Sequence, residues 1–102
     1  MKKKKMTCWF VSRHEGAVNW AKLKNLPVTR WVSHLDIKEI HHGDVVIGVL
    51  PVHLAAAVCE KGAEFYFLTI DLELQQRGTE LDMHEMLAAC CRIQRYQVQS
   101  LD

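Results

Sequence analysis

Apolar residues fall along this chain in two kinds of run: short blocks suited to strands and longer stretches spaced for helices. Thr7-Cys-Trp-Phe-Val-Ser12 is β-branched and aromatic and predicts a first strand, broken by the loop Arg13-His-Glu-Gly16. From Ala17 to Lys24, Val18 and Ala21 stand at helical spacing with Trp20 beside them, and Asn25-Leu-Pro27 ends the helix. Val28 to Leu35 predicts a second strand, and Asp36 to Gly43 is a polar connection. Val45 to Leu50 is a continuous apolar run of the kind buried on both faces of a parallel sheet. Pro51 suits the first position of a helix that runs from Val52 to Lys61 and stops at Gly62. Glu64 to Ile70 predicts a fourth strand. Beyond a polar connection containing Arg77-Gly78, Asp82 is a natural N-cap with Glu85 three residues on. Met83, Met86, Leu87, Cys90 and Ile93 then form the stripe of a last helix, its methionines expected to pack rather than face a cofactor.

Strands alternating with helices through short connections imply an α/β fold. The expectation is a small Rossmann-like, mostly parallel four-stranded sheet with helices on its faces. Residues 7–102 are expected to form one domain after a basic, frayed start at 1–6 that includes Lys2 to Lys5. No apolar run follows those lysines of the length a signal peptide or membrane span needs. At 49% hydrophobic and 25% charged residues the composition is that of a soluble globular protein.

Composition and charge narrow the chemistry. A net charge of +1 does not advertise binding to long nucleic acid, although a local basic pocket for a compact anion would be invisible in the total. The cysteines Cys8, Cys59, Cys90 and Cys91 form no Cys-x-x-Cys pair, so reduced core thiols in a cytoplasmic protein are expected, with no metal and no cofactor. His41-His42 reads as an exposed loop rather than a metal site.

Open parallel sheets gather ligands outside the carboxyl ends of their strands. Those ends carry Ser12, Arg13 and His14, then His34 and Asp36, then Pro51 and His53, with Asp71 and Arg77 after the fourth strand. Arg13 offers a planar fork for phosphate oxygens beside the helix that opens near Gly16, where a ligand can approach the backbone; its alternative is an ordinary surface ion pair. Histidine is the side chain suited to proton transfer near neutral pH, so His14 and His53 are candidate acid–base groups. His53 stands in the first turn of an apolar helix, where ligand contact competes with a buried structural role. Asp36 offers a rim carboxylate or a cap for the following turn.

Val11-Ser-Arg-His-Glu-Gly-Ala-Val-Asn-Trp20, His34-Leu-Asp36, Gly43-Asp-Val-Val-Ile-Gly-Val-Leu-Pro-Val-His-Leu-Ala55 and Arg77-Gly-Thr-Glu-Leu81 together resemble a small CRISPR-associated family, the sixteenth of the Csx accessory families found with type III systems. The resemblance covers nearly the whole chain after the lysine run, and the Gly43 to Ala55 block is its most specific part. It implies a CARF-like ring nuclease that removes a cyclic oligoadenylate second messenger, with cyclic tetra-adenylate the expected ring, and so switches off type III antiviral signalling.

RNA carries its own nucleophile in the 2'-hydroxyl, so metal-independent cleavage is compatible with these residues. Under that reading Arg13 and Arg77 hold phosphate charge, His14 or His53 assists proton transfer, and Ser12 orients a phosphate oxygen or ribose. Gly16, His34, Asp36 and Pro51 complete the substrate-binding rim. A cyclic tetranucleotide has approximate two-fold symmetry, which a C2 homodimer would match.

Three other readings compete. A module of the same architecture would bind or sequester the ring without cutting it. Arg13-His14 also resembles the Arg-His-Gly start of histidine phosphatases, although Glu15 intervenes before Gly16. A pure interaction protein would turn Trp9, Trp20 and Trp31 toward a partner.

Overall fold

The computed structural model describes residues 6–69 and 92–102. Its elements in chain order are β1 (Cys8–Val11), α1 (Glu15–Leu23), β2 (Arg30–Val32), a 3-10 turn (Ile37–Glu39), β3 (Val45–Gly48), α2 (Val52–Glu60), β4 (Glu64–Thr69) and β5 (Arg92–Tyr96). One sheet takes the order β2-β1-β3-β4-β5, with the first four strands parallel and β5 antiparallel to β4. The α/β class and the mostly parallel sheet agree with the apolar pattern. The strand count does not, because the sheet has five strands among the described residues where the pattern predicts four.

The extra strand contains Ile93, placed in a helical stripe by its three-residue spacing from Cys90. Ile93 instead pairs with Leu68 across the β4–β5 ladder. The remainder of that predicted helix, and Arg77, lie outside the described residues.

Alternation along the central strands sorts the core into two layers. Trp9 pairs with Val46, and both pack with Val11 and Phe65 against Ala55 and Val58 of α2. Phe10 pairs with Ile47, and both pack with Leu68 against Ala17, Trp20 and Ala21 of α1. The helices therefore cover opposite faces, and the strands between them are apolar on both sides, as the uninterrupted run Val45 to Leu50 requires. Trp9 and Trp20 are each 4% exposed, whereas Trp31 at 37% rests on Phe10 with Lys22 over its ring. Two of the three tryptophans are thus core residues rather than a surface for a partner.

Asp44 anchors the amino ends of the strands. Its carboxylate accepts the Thr7 N–H (3.2 Å), the Trp9 indole N–H (3.3 Å) and the His41 N–H (3.0 Å), while its own carbonyl accepts the Glu64 N–H (2.8 Å). At 4% exposure this carboxylate is held by satisfied hydrogen bonds, the condition for burying one. Lys61 donates to the carbonyls of Ile37 (2.7 Å) and Ile40 (3.3 Å), fastening the 3-10 turn beside α2.

Gly48 closes the other end. Its φ of +153° disfavours any side chain, and a Cβ there would stand 2.4 Å from the Val11 carbonyl oxygen. Gly48→Ala is expected to cost about 2 to 4 kcal/mol by forcing β1 and β3 apart, measured by urea unfolding. A loss below about 0.5 kcal/mol, the ordinary scale of surface changes, would show that the strand ends yield freely. Among the described residues, no helix is long and apolar enough to cross a membrane.

Candidate functional site at the β1–β3 switch point

The chain leaves β1 toward β2 on one side and returns to β3 on the other, so the strand order reverses between β1 and β3. A crevice opens at the carboxyl ends of strands at such a point, where open α/β sheets bind ligands. A cavity of ≈460 Å³ lies there, lined by residues that follow β1, β2 and β3. Ser12, Arg13 and His14 come from the first, Ser33, His34 and Leu35 from the second, and Val49, Leu50 and Pro51 from the third. Leu54 of α2 joins them.

Ser12 bends the chain from strand to helix. Its backbone N–H extends the ladder to the Val32 carbonyl (3.0 Å), and its hydroxyl accepts the His14 N–H (3.0 Å) in a local turn. Arg13 and His14 are consequently carried outward at the mouth, both exposed. Arg13 has no hydrogen bond or ion pair among the described residues. A guanidinium at a cavity mouth with no partner among the described residues is suited to phosphate oxygens.

Both nearby helices start at this crevice without a side-chain cap. His14 is the N-cap of α1 and Pro51 the N-cap of α2, and neither makes a capping side-chain bond. Pro51 sits one position earlier than the first-turn placement its missing N–H suggested. Two helix amino ends add partial positive charge to the same crevice, an environment favourable to an anion.

The structure divides the other sequence-predicted site residues. His34 lines the cavity. Asp36 does not, because its carboxylate accepts the Lys38 N–H (3.0 Å) and caps the 3-10 turn. Gly16 is buried inside α1, behind the lining. His53 also stands outside the lining, and it is exposed rather than buried. Helical rotation accounts for this: Pro51 and Leu54 are three residues apart and share the cavity side, while His53 is turned about 100° from Leu54.

Ser33, Leu35, Val49, Leu50 and Leu54 are cavity residues that the inventory of strand-end polar groups omitted. Ser33 adjoins His34, and Leu54 lies three residues beyond Pro51, so both were reachable by extending the same logic by one residue or one turn. Elsewhere, a cavity of ≈510 Å³ beside Cys8, Ile47 and Tyr66 and another of ≈450 Å³ beside Glu64 and Arg95 have no histidine among the described residues. Burial pushes the Cys8 thiol up from its ordinary value, leaving it protonated near neutral pH and poorly suited to act as a nucleophile. Among the described residues, no group of three or more His, Cys, Asp or Glu is arranged to hold a metal ion.

No curated protein and no solved structure matches the chain. A family model does match, over residues 9–99, and it spans all of the described strands and helices but Cys8 of β1, with every described residue of the crevice. The chain belongs to that family, whose description is "Putative CRISPR-associated protein (Cas_VVA1548)".

Proposed function

We propose that the protein is a ring nuclease of CRISPR defence that opens a cyclic oligoadenylate, with cyclic tetra-adenylate the expected ring, and so ends type III antiviral signalling. On this reading the chain is a small CARF-like protein of the sixteenth Csx family. The observation that carries it is the placement of Arg13, free of any partner among the described residues, with His14 and His34 at the β1–β3 crevice between two uncapped helix starts. Membership of a CRISPR-associated family supplies the biological setting.

The reaction follows from the substrate's own groups. A ribose 2'-oxygen attacks the adjacent phosphorus as its proton leaves to a base, the bond from phosphorus to the 5'-oxygen breaks, and that oxygen takes up a proton. The products are a 2',3'-cyclic phosphate and a 5'-hydroxyl, so neither water nor an oxidant is consumed. Arg13 and the helix amino ends hold the phosphate charge, and His14, which lines the cavity, moves a proton. Aligning the 2'-oxygen with the phosphorus contributes up to ~7 to 11 kcal/mol at best.

Purified protein incubated with excess labelled cyclic tetra-adenylate and EDTA is expected to open many rings per chain. Retention of one intact ring per site would instead establish a sequestering module. His14→Ala is expected to slow opening by about 10²- to 10⁴-fold, and His53→Ala to leave it within about threefold. The reverse ranking would move proton transfer to α2. One chain's cavity is too small to enclose such a ring, so a C2 homodimer presenting it twice is expected, checked by light scattering with and without the ring.

A further inference from the structure

The cavity is chemically divided. Arg13, His14, Ser33 and His34 are exposed and form its mouth, whereas Val11 and Leu50, at 6% and 8% exposure, form its buried end, with half-buried Leu35 and Leu54 between. A phosphate alone needs the mouth and gains nothing from four aliphatic side chains behind it. Pockets of about 300 to 1,000 Å³ hold one drug-sized ligand, which a single nucleotide is and a ring of four is not. The cavity's ≈460 Å³ lies low in that range.

We infer that each chain grips one nucleotide unit, with its phosphate at Arg13 and its base held against Leu35 and Leu54, which makes these two leucines specificity residues. The inference rests on the proposed ring-opening function for its nucleotide ligand but adds where the base goes. Leu35 follows β2 and Leu54 opens α2, so the two walls come from different crossovers and their separation is fixed by the sheet. Among the described residues the buried end has no hydrogen-bonding side chain, so affinity for the base arises from apolar contact, with polar recognition left to half-buried Ser12 and to Ser33 and His34 at the mouth.

Calorimetric titration of the whole protein with adenosine 5'-monophosphate, ribose 5-phosphate and inorganic phosphate tests this. The mononucleotide is expected to bind at least about tenfold more tightly than ribose 5-phosphate, a difference of about 1.4 kcal/mol. Leu54→Ala and Leu35→Ala are each expected to remove most of that difference while leaving ribose 5-phosphate binding unchanged. Equal affinity of the unaltered protein for the two sugar phosphates, or no detectable binding of the mononucleotide, overturns the inference without need of any variant. So does a folded Leu54→Ala variant with undiminished preference for the mononucleotide. Base preference without ring opening would sink the nuclease reading alone, and ring opening without base preference would sink the base site alone.

Discussion

Replacing Arg13 with alanine is expected to lower the rate of ring opening by about 10²- to 10³-fold, the usual cost of removing one preorganised charge donor from a developing anion. The effect is expected in turnover rather than folding. Arg13 is exposed and has no partner among the described residues, so its removal breaks no bond among them, and the melting temperature should stay within about 4 °C. Arg13→Lys keeps the charge but loses the planar fork, and an intermediate rate is the expected result. Single-turnover cleavage of labelled ring by the three proteins, each checked by circular dichroism, reads this directly. A folded alanine variant that retains the full rate would remove the guanidinium from the mechanism and the crevice from the centre of the function.

Asp44→Ala is expected to remove a substantial part of the chain's stability. The substitution leaves the Thr7 N–H, the His41 N–H and the Trp9 indole N–H without their acceptor, at a position only 4% exposed. An unsatisfied buried donor costs about 1 to 3 kcal/mol, which applies in full to the Trp9 indole, while the part-buried Thr7 and His41 donors cost less, so the total is at least about 2 kcal/mol. A domain's entire stability is about 5 to 15 kcal/mol. For a chain of this size the melting temperature should fall by at least about 8 °C. Asp44→Asn keeps one amide oxygen as an acceptor and should fall less. A thermal scan showing Asp44→Ala within about 3 °C of the unaltered protein would mean that water replaces the carboxylate at all three donors.

How much was legible in the sequence depended on whether burial wrote a pattern. The core strands were readable because Trp9, Phe10, Val46 and Ile47 are apolar on both faces, each face being covered by its own helix. Strand β5 was not. Arg92, Gln94 and Arg95 are exposed on the outer edge of the sheet, so the segment has no apolar alternation beyond Ile93, and that residue fitted a helical stripe equally well. The crevice was legible where it depended on topology, since a parallel sheet collects the ends of distant strands and thereby brings Arg13, His14 and His34 to one cavity. Asp36 and His53 needed information the pattern does not carry. One is committed to capping a turn, and the other is rotated away from the cavity by a single helical step.

Asp44 immediately precedes β3 and Val49 immediately follows it, about 16 Å apart at the usual rise per residue. Changes separated by that much act additively rather than compounding one another. A lineage can therefore exchange residues at the crevice for others with different ligand preferences while the anchoring carboxylate keeps the domain folded. The same spacing makes the protein evolvable as a scaffold, since new specificity at one end of a four-residue strand requires no compensating repair at the other.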